Sequence, residues 1–412
     1  MYSTGARSRS GIRPAVSSGD LTVKATLLSE RAVSVWDAVI GQPRAVDVLR
    51  RAVAREHEGA GMPHAWLLTG PPGSGRSVAA RAFAAALQCS DDGCGLCVQC
   101  REVLAGAHPD VTVLATEEMQ VRKEAVVGLI RRAATAPTRG RWTVVVVEDA
   151  DRIQEVIANM LLKEIEEPPR RTVWVLCAPF PEDLLPTIRS RCRAVTLGIP
   201  NPEAIVAFLV KRLGVSPAEA GWAAAAAQGH IGIARRLATD VDARRRRRDV
   251  LRLPLAVRSV PDAVDAAAEL KDIATEDSAA ELEQHQHAEQ ADWLHAMGVA
   301  SAEELPKQLK PQWRDLLASQ KRRVRRTTTD GLDRALLDLT SLYRDVLIVQ
   351  FGSTVPLVNA DLRAEIESLA AATDPARVLA AIDVIALTRT RLTQNAALPL
   401  ALEAMAVRLV HR

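Results

Sequence analysis

The segment Gly70-Pro71-Pro72-Gly73-Ser74-Gly75-Arg76-Ser77 does more than any other to restrict how this 412-residue chain can fold. It follows Ala65-Trp66-Leu67-Leu68, an apolar run that reads as a buried strand, and precedes Val78 to Leu87, which reads as a helix. Glycines in such a turn let backbone N–H groups point inward, and the helix N-terminus adds partial positive charge, so phosphate oxygens are held there. Ser77 stands where a magnesium ligand belongs. Arg76 departs from the usual pattern, because a planar guanidinium replaces the compact ammonium that reaches terminal phosphates. The segment is either a nucleotide cradle or a glycine-rich turn kept for packing, and the residues leave both readings open.

Further strands are expected at Val111–Leu114, Thr143–Val147, Thr172–Leu176 and Ala194–Leu197, with helices between them. Val46, Leu49 and Val53 repeat at helical spacing. Val156, Met160, Leu161 and Ile165 mark one face of a helix that Pro168-Pro169 stops. Alternation of this kind predicts an α/β fold, a parallel sheet with helices on both faces. Beyond Pro200 the strand signals cease: alanine-rich helices run from Pro202 to about Asp240. The run Arg244 to Arg248 then opens a third region, helical to the C-terminus with a polar break near Ala274 to Gln290. The first 33 residues, rich in Ser, Gly, Thr and Arg, have the composition of a disordered tail.

Two clusters carry chemistry. The strand ending at Val147 is followed by Glu148-Asp149, where nucleotide-splitting proteins place a metal-binding Asp and then a catalytic Glu. Here the order is reversed, and the alternative is a solvated or helix-capping pair. Cys89, Cys94, Cys97 and Cys100 place four thiols within twelve residues, enough for a closed tetrahedral zinc site of structural kind. Cys177 lies in an apolar strand and reads as an inert buried thiol.

These segments together resemble the AAA+ clamp-loader subunits of bacterial DNA polymerase III, the delta prime branch in particular. The resemblance rests on Val39-Ile40-Gly41-Gln42, His64-Ala65-Trp66-Leu67-Leu68, the glycine-rich loop, the cysteines and His108-Pro109-Asp110. It continues in Asn159-Met160-Leu161-Leu162-Lys163, Glu166-Glu167-Pro168-Pro169 and Thr187-Ile188-Arg189-Ser190-Arg191-Cys192, all in family order. A weaker echo follows in Tyr343-Arg344-Asp345 and Asn395 to Leu402.

The resemblance implies an AAA+ α/β domain over 34–199 with a zinc-binding insert at 89–100, a helical lid over 200–241 and a helical collar over 242–412. It also implies a stator in a hetero-pentameric ring with gamma/tau motor subunits and a delta subunit, part of a nucleotidyltransferase holoenzyme. The ring loads a sliding clamp onto primed DNA. In that family the Ser-Arg-Cys triplet carries an arginine finger, so Arg191 would act on ATP held by a neighbour. Gly70, Gly73, Ser74, Gly75, Arg76, Ser77, Glu148 and Asp149 would line this chain's own ATP/Mg2+ pocket. Arg76, the reversed acids, Ala178-Pro179 and a lid lacking the motors' arginine near Gly229-His230-Ile231-Gly232 all weaken self-hydrolysis. The gap between Cys89 and Cys94 is shorter than the family's usual spacing, which makes Cys89 the ligand furthest from pattern.

Composition narrows the alternatives. Lys and Arg number 53 against 50 Asp and Glu, a net charge of +3, so no global basic field marks a stand-alone nucleic-acid binder. No stretch approaches the roughly 18 apolar residues of a membrane span, and a cytoplasmic protein is expected. The competing readings are an active motor ATPase of the same family and a zinc-stabilised DNA-binding module. The arginines at 244–248 wrap all sides of a helix and are expected to be solvated; Lys321 to Arg326 reads the same way.

Overall fold

In a computed structural model the described residues are 34–59, 61–115, 121–322, 324–394 and 396–410. The expected tail 1–33 and Asn395 lie outside them, as do the side chains of the 321–326 basic run.

Five parallel strands form one sheet in the order β2-β3-β4-β1-β5. They are β1 (Ala65–Thr69), β2 (Val111–Leu114), β3 (Thr143–Val147), β4 (Thr172–Ala178) and β5 (Arg193–Thr196). Every residue of β1, β3 and β4 is buried, as expected of strands covered on both faces. Alternate residues divide between two cores. Trp66, Leu68, Val144, Val146, Val173 and Val175 pack with helices α1 (Pro43–His57) and α2 (Arg76–Gln88). Leu67, Val145, Val147, Trp174 and Leu176 pack on the other face. There they meet α4 (Lys123–Ala133) and α5 (Glu155–Glu166), while α3 (Val98–Leu104) extends the first core beside the cysteines. Trp66 meets Phe83 of α2 edge-on at 5.0 Å, and truncating such a buried aromatic costs about 3–5 kcal/mol.

The buried stripe of α5 is offset from the expected one. Ile157, Leu161 and Ile165, spaced i, i+4, i+8, face the sheet, whereas Val156 is 79% exposed. The helix does end before Pro168-Pro169.

After β5 the described residues form only helices. Pro202–Leu213, Pro217–Ala226 and Ile231–Thr239 share an apolar cluster around Ile205, Leu209, Ala223 and Ala234. Asn201, Ser216 and His230 cap them, each accepting a backbone N–H at the N-terminus. A larger cluster around Leu251, Leu336, Tyr343, Ile385 and Leu402 joins the remaining helices.

Two expectations fail here. The polar break at Ala274–Gln290 does not occur: one helix runs from Val260 to Ala296, started by a Ser259/Asp262 capping box. Glu, Gln and Ala propagate helices well, so polarity alone is no stop signal, and Ala267, Leu270, Ala274 and Ser278 give it a buried stripe. The arginines at 244–248 are not uniformly solvated either. Arg247 is buried, with Nε 2.8 Å from Asp338 Oδ1 and Nη2 2.6 Å from Asn359 Oδ1. Arg246 Nε donates to Asp277 Oδ1 at 2.6 Å, and only Arg245 and Arg248 of the run are exposed. A helix crossing between two packed layers buries one side of any run, charged or not.

Candidate functional site

The glycine-rich loop sits at the carboxyl end of β1, the crevice where open α/β sheets place ligands. Gly70 and Gly73 have φ of +153° and +81°. A Cβ on Gly70 would lie 2.4 Å from the Leu197 carbonyl, and one on Gly73 would lie 2.3 Å from His230 Cγ. Both positions therefore require glycine. Gln42 ties the loop down, donating from Nε2 to the carbonyls of Ser74 and Gly198 at 3.2 and 2.6 Å and accepting from Gly198 N–H at 3.0 Å. Ser74 is buried and its Oγ has no hydrogen-bond partner, while Gly75 caps α2 and Ser77 is the second residue of that helix.

Two arginines near the loop are engaged within the chain. Arg76 Nη1 folds back onto the Gly70 carbonyl at its own loop's start. Arg81, one turn further along α2, donates from Nε to Glu148 Oε1 at 3.0 Å. Glu148 and Asp149 follow β3, with β4 between them and β1. Burial and the neighbouring Asp149 push the Asp151 carboxyl upward, against Arg152 and Arg76. From the helices beyond β5, Ile231 N–H donates to the Gly73 carbonyl at 3.4 Å, and the His230 ring rests on Gly73. Burial, Arg334 and Arg76 lower His230 to about 4 against an opposing Glu281, so at neutral pH it is an uncharged imidazole. The Glu148 carboxylate thus already pairs with a guanidinium, and the His230 imidazole packs against Gly73.

Arg81 and His230 escaped the sequence reading. Arg81 is the one charge between Val78 and Leu87, which was the available signal; His230 sat in a segment read only for its missing arginine.

The four cysteines converge beyond the other end of α2. Their sulfurs lie within 4.8 Å of one another, with Cys89 Sγ 3.7 Å from Cys94 Sγ and 3.8 Å from Cys97 Sγ. Tetrahedral zinc with Zn–S of about 2.3 Å needs S···S of roughly 3.8 Å, so the donor set suits a metal ion, Cys89 included. Burial raises the Cys89 thiol, but backbone N–H groups of Cys94, Asp91 and Gly93 outweigh it and bring it down to about 7. Cys97 N–H points at Cys94 Sγ and Cys100 N–H at Cys97 Sγ, both at 3.4 Å. Burial nonetheless pushes the Cys97 and Cys100 thiols upward. Cys177 is fully buried, and burial raises it well above the usual thiol range.

Arg191 lies apart from this pocket, on the turn between the helix α6 (Pro186–Arg189) and β5. Its Nε is 2.5 Å from Glu166 Oε1 and its Nη1 donates to the Thr187 carbonyl at 2.8 Å, with the side chain 40% exposed.

A parallel sheet with a glycine-rich loop after β1, acids after β3 and β4 interposed between them defines the α/β P-loop class of AAA+ type. Residues 41–200 match the family described as DNA polymerase III, delta subunit, and residues 328–409 match DNA polymerase III, delta subunit, C terminal. The chain belongs to the delta prime family of DNA polymerase III. It is 38% identical to DNA polymerase III subunit delta' of Pseudomonas aeruginosa over 163 residues, 38% of this chain and 50% of that protein. It is 31% identical to DNA polymerase III subunit gamma/tau of Mycobacterium tuberculosis over 156 residues, 36% of this chain and 26% of the other. A solved DNA polymerase III gamma subunit-related protein from Thermotoga maritima aligns at 14% identity with a TM-score of 0.39, over 89% of this chain and 98% of that one. The chain thus spans about half the length, or less, of the curated relatives it matches. Among the described residues no helix is long and apolar enough to cross a membrane.

Proposed function

We propose that this chain is the stator of a clamp loader, a subunit that does not split nucleotide itself but presents Arg191 to ATP held by a neighbouring gamma/tau-type subunit. The observation that carries this reading is the Arg81–Glu148 contact, which supplies an internal cation where a nucleotide-splitting site needs a free metal-binding carboxylate. Arg76 turned onto Gly70 and His230 seated on Gly73 support it. Half-exposed Arg191 stands outside that closed pocket, available to another chain.

In this reading the division of labour is physical. A guanidinium beside a transferring phosphoryl group stabilises the spreading negative charge and is worth about 10³ to 10⁵ in rate. The apolar clusters support three domains, α/β over 34–199, lid over 200–241 and collar over 242–412. The collar would join delta and the gamma/tau motors in a hetero-pentameric ring that sets a sliding clamp on primed DNA. Zinc on Cys89, Cys94, Cys97 and Cys100 would be structural, holding the loop after α2 in place. A cytoplasmic location follows from that role.

The test is the ATPase rate of the complex reconstituted with parent chain or Arg191→Ala. The variant should assemble normally and lower DNA-stimulated turnover at least about 10²-fold; equal rates would end the reading.

A further inference from the structure

Arg191 is held from two sides. The Glu166 carboxylate forms an ion pair with it, Oε1 2.5 Å from Nε, while Nη1 donates to the Thr187 carbonyl at 2.8 Å and to Ser190 Oγ at 3.3 Å. Among the described residues Nη2 makes no hydrogen bond. Glu166 is the last residue of α5, a helix fixed by buried Ile157, Leu161 and Ile165. The carboxylate is thus carried on a rigid element, although its side chain is 44% exposed. A neighbouring pair, Arg189 with Glu182 at 3.6 Å, keeps the adjacent guanidinium away from the same carboxylate.

An ion pair this exposed adds little to stability. What it does is geometric. A free arginine samples many rotamers, and holding two of its nitrogens removes that freedom before any ligand arrives. We propose that Glu166 is a positioning residue for Arg191, fixing Nε so that Nη2 is left to meet a phosphoryl oxygen of a nucleoside triphosphate bound to another chain. This rests on the reading of Arg191 given above. Removing the carboxylate leaves the charge in place but lets it wander, so turnover falls while nucleotide binding in the neighbour does not change.

The experiment is steady-state ATP hydrolysis by the reconstituted complex containing the parent chain, Glu166→Ala, Glu166→Gln, Arg191→Ala or the double variant Arg191→Ala/Glu166→Ala. Glu166→Ala should lower kcat about tenfold with KM for ATP unchanged, a smaller loss than that of the guanidinium itself. Glu166→Gln keeps an oxygen beside Nε but not the charge, and should recover only part of the rate. The double variant should be no slower than Arg191→Ala. Parent-like kcat in Glu166→Ala, a rise in KM, or a double variant slower than Arg191→Ala would each overturn the assignment. Full activity in Arg191→Ala would instead show that the finger reading itself has failed. If Glu166→Ala does not fold, Glu166→Gln against Glu166→Lys carries the same comparison.

Discussion

Arg81 Nε and Glu148 Oε1 stand 3.0 Å apart, joining the first helix after the glycine-rich loop to the acidic end of β3. The contact is only partly exposed, 36% and 14% for the two side chains, so it neutralises the carboxylate in a region that water screens poorly. A divalent ion approaching Glu148 must first displace a guanidinium fixed to the same sheet. The closure of the pocket is therefore built from several independent contacts, and it should respond accordingly.

Restoring lysine at position 76 alone should barely open the site. Arg76→Lys is expected to change the affinity of the isolated chain for magnesium-ATP by less than about threefold, since Arg81 and His230 stay where they are. The triple variant Arg76→Lys/Arg81→Ala/His230→Ala should bind at least about tenfold more tightly than the parent. Fluorescent-nucleotide titration decides the matter, and a large gain from the single change would count against a multiply closed pocket.

Metal removal should loosen the α/β region and leave the helical C-terminal region alone. The purified chain is expected to carry one zinc per molecule by atomic absorption. Chelation, or Cys97→Ser, should lower its first unfolding transition by about 5 °C or more, the scale of roughly 2 kcal/mol in a domain of this size. A metal-free preparation with an unchanged transition would sink this expectation.

Acid should act through His230. Its folded value, about 4, lies below the ordinary 6.5 because of burial, Arg334 and Arg76. The neutral ring's contribution is complete above pH 6.5 and is lost as pH falls from there through 4, because protonation then favours the open state. At pH 5 the loss amounts to about 2 kcal/mol. Denaturant titrations at pH 7 and pH 5 should show a steeper decline for the parent than for His230→Gln; parallel declines would remove His230 from the account.

The buried arginine of the 244–248 run makes the sharpest stability prediction. Arg247 bridges Asp338 and Asn359, and Asn359 in turn donates to Asp345. Arg247→Ala takes from the largely buried Asp338 carboxyl its hydrogen-bonded partner, leaving only Arg334 nearby, and should cost about 3 kcal/mol. Arg245→Ala, two positions away and exposed, should stay within about 0.5 kcal/mol. Urea denaturation of the two variants makes the comparison.

Much of the sheet was legible because its strands are short, apolar and bounded by turn residues. Val111–Leu114 and Thr143–Val147 emerge at the expected bounds, and the loop after Ala65–Thr69 lies where glycine spacing put it. The α5 face was misread because Val156 and Ile157 are equally apolar, and only the fixed start of the helix at Glu155 decides which one faces the sheet. Arg247 was misread because a charge run carries no record of which side is covered. The four thiols were legible from spacing, whereas the contacts that close the phosphate loop were not. Arg81 meets Glu148 from 67 residues away and His230 meets the loop from more than 150, and nothing local in either position signals the meeting.

The helix α2 has the phosphate loop at its tip and the thiol cluster at its tail, about 20 Å apart for its 13 residues. At the tail, Gln88 grips Trp142 and Arg141 of the strand-leading turn, and Cys89 N–H closes the last turn on Ala85 and Ala86. A rod fastened so firmly at one end does not depend on an anion to steady the other. That leaves the Gly70–Ser77 tip free to drift chemically, trading its lysine for arginine, without putting the central scaffold at risk.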